Sequence, residues 1–256
     1  MTRFDDGSAG DANYGVISRD YTRFRQPDPR IAALLHAQLG DAQRVLNVGA
    51  GAGSYEPTGR DVAAVEPSAS MRARRPPHLA PAIDAVAADL PFTDKSFDAA
   101  MTTFSAHQWP DLDTGLKEMR RVTRGPIVIL TGDPETVDRM WLCEYAPEVI
   151  ATEQRRYPPV SAFAATIGPV TKIDVPIPLD CVDGFNEAYY GRPEVLLDPH
   201  ARSVCSAWSF LDAPAIARFQ QRLSDDLGRG EWDQKYGALR SQPTYIGSLI
   251  LIVSPS

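Results

Sequence analysis

Residues 45–54 read V-L-N-V-G-A-G-A-G-S, a short apolar run that meets glycines at three alternate positions, Gly49, Gly51 and Gly53. A short, wholly apolar run is the mark of a parallel strand buried on both faces. A glycine-rich turn directly after it lets backbone approach a ligand closely and leaves N–H groups facing it. The feature points to an α/β fold with a ligand at the carboxyl end of its first strand. It does not name the ligand. A phosphate-binding loop needs Gly-Lys followed by Ser or Thr, and none follows here. The dinucleotide fingerprint wants glycines at 49, 51 and 54, and position 54 is Ser. Glu66, at the end of the next apolar run, suits a ribose diol in either nucleotide setting.

The rest of the chain supports the α/β expectation. Asp28-Pro29 is a helix start, followed by Ile31, Leu34, Leu35 and Leu39 at helical spacing and closed by Gly40. Strands are predicted at 44–48, 61–65, 85–88, 97–104 and 126–131, with a helix over 111–123 carrying Leu112, Leu116, Met119 and Val122 on one face. Strands alternating with helices make a parallel sheet. Residues 171–179 (T-K-I-D-V-P-I-P-L) read as a proline-interrupted edge strand, and 245–253 as a strong final strand. Between 134 and 243 the chain is rich in proline, aromatic residues and helical stretches.

The stretches V-L-N-V-G-A-G-A-G-S-Y-E-P, V-A-A-V-E-P-S-A-S-M, A-D-L-P-F-T-D-K-S-F-D and G-L-K-E-M-R-R-V-T-R-G-P, in that order, resemble the class I S-adenosylmethionine-dependent methyltransferases, in particular the small-molecule methyltransferase type 11 group. The resemblance is close over residues 12–133 and weak to the end of the chain. It implies a Rossmann-like, doubly wound, mostly parallel seven-stranded sheet with an antiparallel last strand and helical cap insertions. Residues 1–133 would be the N-terminal segment and cofactor half, 134–243 the cap with its edge strand, and 244–256 the final strand of the same α/β domain. S-adenosylmethionine would be the cofactor and S-adenosylhomocysteine the product. Gly49, Ala50, Gly51 and Gly53 would line its methionine part, Glu66 its ribose, and Ser68 and Met71 its adenine, with Pro67 a further cofactor-binding residue. Asp89 would accept from the adenine amine, the Leu90 N–H would donate to the ring, and Phe104 would begin the wall towards the acceptor.

Asn47 stands where the family carries Asp or Glu. An amide keeps an acceptor and loses the charge, so either affinity for the cofactor is lower or another group compensates. Tyr14, Tyr21 and Arg25 are candidates: N-terminal segments of similar enzymes close over the cofactor, and Arg25 is open to pairing with its carboxylate or to being a surface charge.

Methyl transfer to an O–H or N–H acceptor also needs a proton removed. His107, in F-S-A-H-Q-W-P after the fourth predicted strand, lies where ligands of open α/β sheets bind; it reads as a candidate general base, or as a residue packed against its loop. Trp141, Tyr157, Phe185, Trp208 and other cap aromatics suit a ring-bearing small molecule, and equally a cap core. No histidine or carboxylate cluster suggests a metal site. The three cysteines form no C-x-x-C pair and read as small buried apolar residues. The net charge of −7 is a poor match for nucleic acid or an anionic membrane, and no apolar run spans a bilayer; the expectation is a cytoplasmic enzyme. Two other readings stay open, an NAD-dependent oxidoreductase and a non-catalytic protein that binds the cofactor.

Overall fold

A computed structural model of the chain describes residues 4–9, 11 and 21–255. Its centre is a six-stranded sheet in the order β2-β1-β3-β4-β8-β5. β1 (Arg44–Val48), β2 (Asp61–Val65), β3 (Ala99–Thr103) and β4 (Ile127–Gly132) are mutually parallel. β8 (Leu249–Ser254) runs antiparallel to β4 on one side and to β5 (Thr171–Asp174) on the other. This is the Rossmann-like, mostly parallel arrangement expected, with its antiparallel last strand, but among the described residues it has six strands where seven were expected.

Side chains alternate across the sheet as the two-residue period demands. Leu249 and Leu251 of β8 join Val45, Met101, Val128 and Leu130 in one core. Ile250 and Ile252 join Leu46, Val48, Ile127 and Ile129 in the other. Helix α1 (Pro29–Gln38) covers the first face through Ile31 and Leu35; Asp28 caps it, accepting from the Arg30 N–H. Helix α3 (Leu112–Val122), capped by Asp111, covers the second through Leu116, Met119 and Val122. Between them lies the short α2 (Ala69–Arg72), capped by Ser68.

Two predicted elements differ. Residues 85–88 form no strand: beyond β2 the sheet gains one parallel bridge, Val65 to Ile83, and Val86 turns back to bridge Asp89. The run A-V-A-A gives that segment too little side chain to hold a ladder. Residues 171–179 and 245–253 each break in two. β6 (Ile177–Pro178) and β7 (Thr244–Tyr245) form a separate two-stranded ladder. Pro176 supplies no N–H to continue β5; β5 itself lies at the sheet edge.

The cap gathers around its own core of Trp141, Leu142, Val149, Trp208, Phe219, Leu223 and Trp232. Its longer helices are α4 (Pro147–Arg156), α5 (Val160–Ile167) and α6 (Ala213–Arg229), the last ending on Gly230 at φ 73° in the left-handed form that closes helices. No helix among the described residues is long and apolar enough to cross a membrane.

Leu251 lies mid-strand in β8, buried between two partner strands. Leu251→Ala is expected to cost about 2–5 kcal/mol, read as a lower urea midpoint with an unchanged slope.

Candidate active site

A cavity of about 1390 Å³, counting the space at its open mouth, lies at the carboxyl end of β1–β4. The sheet supplies one wall, through Gly49–Ala52, Glu66, Pro67 and Phe104–Pro110. The cap supplies the other, through Glu153, Arg156, Tyr157, Phe185, Asn186 and Cys205.

The glycines divide the work. A Cβ on Gly49 would stand 1.9 Å from the Ser105 Oγ, so its bareness lets the β1 and β3 loops meet. Gly51, at φ 52°, would bring a Cβ only against the Met71 methyl at 3.3 Å, and it lines the cavity. Its N–H donates to Glu66 Oε2 at 2.8 Å, while the Ser68 N–H donates to Oε1 at 2.8 Å. Two backbone donors therefore fix a buried carboxylate at the cavity wall. Desolvation dominates over them and raises its pKa.

Asn47 is fully buried beneath this turn. Its Nδ2 donates to Glu56 Oε1 at 3.0 Å, and Glu56 forms a two-pronged ion pair with Arg75 at 2.9 and 3.0 Å. The acid absent at 47 is present nine residues later, already neutralised. Asn47 Oδ1 has no partner among the described residues.

Of the expected residues, Tyr21, Arg25, Gly49, Ala50, Gly51, Glu66, Pro67, Met71, Phe104 and His107 line the cavity. Asn47, Gly53, Ser68, Asp89 and Leu90 do not. Gly53 packs against Leu79, and Ser68 bonds Asp6 and caps α2. Asp89 is exposed, and the Leu90 N–H donates to Glu118 at 3.1 Å; Val86–Ala88 face the cavity instead. Tyr14 lies outside the described residues.

Arg25 is not a surface charge. It is ion-paired with Asp183 of the cap at 2.6 Å, and its guanidinium lies 4.9 Å from the Phe104 ring centre. Phe104 itself adopts φ 50°, a strained backbone for an aromatic residue. The strain is held by its N–H bond to Leu130 and by ring contacts with Tyr55 and Phe185.

His107 meets Tyr157 edge to face at 5.1 Å, and its Nδ1 is buried without a partner among the described residues. Burial, reinforced by Arg156 and Arg25, pushes its pKa well below the ordinary imidazole value. The ring is therefore neutral near pH 7, the form in which a base accepts a proton.

Residues 46–126 match the family model described as a methyltransferase domain. The match places a segment of that methyltransferase family at the glycine turn and the strands that follow it. The chain is 29% identical to the solved structure of a presumed methyltransferase from an antibiotic biosynthesis pathway of Anabaena variabilis. The match covers 90% of this chain and 98% of that one at a TM-score of 0.84. It is 39% identical over 100 residues to the demethylmenaquinone methyltransferase of Renibacterium salmoninarum, 34% of this chain and 40% of the relative's length. It also shares its fold, at 15% identity and a TM-score of 0.51 over 99% of this chain and 87% of the other, with the [4+2]-cyclase SpnF.

The sequence hides the cap's contribution. Glu153 accepts from Asn186 Nδ2 at 2.7 Å, and Trp208 Nε1 donates to Asn186 Oδ1 at 2.9 Å. An indole N–H is only a donor, so it fixes the amide's orientation and turns the NH2 towards Glu153. Glu187 accepts from the Ser248 N–H and Oγ at 2.8 and 3.0 Å. Burial lifts both carboxyls to a pKa of about 7. For Glu153 the Asn186 bond and Arg156 act against that rise, and Glu187 adds to it. Nothing local in E-Q-R-R-Y or F-N-E-A-Y marks these acids, which only folding brings together.

Two predictions follow from these contacts. Asn47→Asp sets a second carboxylate against Glu56 and is expected to cost about 1–3 kcal/mol, a penalty that Glu56→Gln in the same chain removes; urea unfolding of the three variants checks this. A carboxyl whose pKa is raised on folding binds protons in the native state that the unfolded chain has lost, so it costs stability as pH rises from about 4.5 to about 7. Glu153→Gln should therefore gain stability on wild type across that window, by at most about 1.4 kcal/mol per pH unit.

Proposed function

We propose that this chain transfers a methyl group from S-adenosylmethionine to a small-molecule acceptor enclosed between the sheet and the cap. The observation that carries the reading is one cavity whose sheet wall presents Gly51 and Glu66 and whose cap wall presents Glu153, Tyr157 and Asn186. The residues suit the cofactor. The turn at Gly51 carries no side chain into the cavity, and Glu66 is a buried carboxylate aimed where a diol can donate to it. Glu66 would hold the ribose, Gly49–Gly51 the methionine part, and Met71 with Val86–Ala88 the adenine. When bound, the cofactor supplies a methyl group on a sulfonium, already activated for displacement.

The chain's own task is then placement and proton removal. The cap encloses the acceptor and excludes water, so that reaction becomes a matter of proximity. Phe104, held by Leu130, Arg25 and Phe185, separates the two ligands. His107, kept neutral by burial, takes the proton from an O–H or N–H acceptor. Arg25 supplies positive charge beside the N-terminal segment, tempered by Asp183.

Calorimetric titration with S-adenosylhomocysteine, with NAD as the control, tests the reading. Saturable binding of the first alone is expected, and Glu66→Ala should abolish it. Binding of NAD instead, or of neither, would overturn the proposal. In an acceptor screen His107→Ala should lower kcat by about 10²–10⁴ with cofactor affinity unchanged; an unaltered kcat removes the base role.

A further inference from the structure

A second, inner chamber of about 270 Å³, counting the open space beside it, shares Phe104, Glu153, Tyr157, Phe185 and Asn186 with the lining of the large cavity. Its lining contains Glu153 and Glu187 and no lysine or arginine; the aromatic rings of Phe104, Tyr157 and Phe185 form its sides. The nearest cations of the outer cavity are already committed, Arg25 to Asp183 at 2.6 Å and Arg156 to Asp11 at 2.7 Å. Among the described residues the carboxylates meet only neutral hydrogen-bond donors: Asn186 for Glu153, and Ser248 with the Leu249 N–H for Glu187. Glu153 Oε1 is taken by Asn186, which leaves Oε2 for a ligand. The aromatic wall is built into the sheet, because a Cβ on Gly132 would stand 2.4 Å from the Tyr157 ring.

We infer that this inner chamber binds a cationic amine group of the acceptor, with Glu153 and Glu187 as its counter-charges and Phe104, Tyr157 and Phe185 as its aromatic box. This rests on the acceptor reading above and gives that acceptor a chemical class. An ammonium completes two desolvated carboxylates that form no ion pair among the described residues, and aromatic faces attract a cation in a water-poor site. An alcohol or an apolar group satisfies neither. An ammonium nitrogen also has no lone pair to receive a methyl group. The amine is therefore the handle, and the methyl-accepting atom is another atom of the same molecule, placed towards His107. The raised carboxyl pKa values near 7 fit the same picture, since a bound cation favours their ionised forms.

Calorimetric titration of the full chain with benzylamine, and with benzyl alcohol as the neutral probe of similar shape, tests the inference. Benzylamine is expected to bind at least tenfold tighter than benzyl alcohol. Glu153→Gln and Glu187→Gln, which keep the acceptor oxygens that Asn186 and Ser248 use, should each weaken benzylamine at least tenfold. S-adenosylhomocysteine titrated into the same proteins reports separately on the cofactor half. Equal affinity for the two probes, no benzylamine binding at millimolar concentration, or unchanged benzylamine affinity in both variants would overturn the amine site. Benzylamine binding that follows the carboxylates while S-adenosylhomocysteine fails to bind supports the amine site and overturns the methyl-transfer reading instead.

Discussion

Asp183 joins the parts that enclose the cavity. It comes from the cap, is 1% exposed, and accepts from Arg25 of the N-terminal segment and from the Tyr55 hydroxyl at 2.8 Å. Tyr55 lies at the end of the glycine turn with φ 64°, a left-handed backbone that its buried ring and this hydrogen bond hold in place. Arg25 in turn lies over Phe104, the residue that divides the cavity. One carboxylate thus ties turn, N-terminal segment, strand-three loop and cap together. Breaking a buried pair from one side leaves an uncompensated charge, which costs about 3–5 kcal/mol, so the shape of the cavity and the stability of the chain rest on the same contact.

The glycine turn uses a similar device. An acid at position 47 would leave a charge beneath the turn. Here the charge sits on Glu56, and Arg75 neutralises it, with both side chains almost wholly buried. Asn47 then needs only to donate one hydrogen bond. The arrangement supports the turn from below while the Gly51 N–H holds Glu66 at the cavity wall.

The parts legible in the sequence are those whose physics is local. A strand period, a glycine turn, an Asp-Pro helix start and an acid closing β2 are each written within ten residues; their alternation implies a parallel sheet, and the antiparallel last strand was implied by the family resemblance. What escaped reading depends on distant pairing. Residues 85–88 are apolar enough for a strand, but alanine offers little cross-strand packing, and the chain turns at Val86. The Leu90 N–H is claimed by Glu118 of α3, a partner 28 residues on. Arg25 looked divided between two fates because Asp183 is 158 residues away. Glu153 and Glu187 carried no local signal at all; as glutamates near arginine and tyrosine they resemble any solvated helix face.

Those two acids also show how a fold can retain an arrangement that weakens it. A carboxylate in a packed core is neutralised by a cation or by a proton, because desolvation otherwise outweighs its hydrogen bonds. Glu56, Asp183 and Asp133 each have their Arg or Lys. Glu153 and Glu187 have none among the described residues, and both line the space beneath the cap. Neutral donors from Asn186 and Ser248 orient them, and Trp208 orients Asn186 from behind. Glu187 satisfies buried donors of Ser248 and Leu249, but a neutral glutamine keeps an acceptor there without the cost of a buried charge. Orientation without neutralisation does serve a ligand that brings the missing charge with it. The charge imbalance at the cavity wall therefore says more about the acceptor than the fold does, because the same fold carries other chemistries on the same sheet.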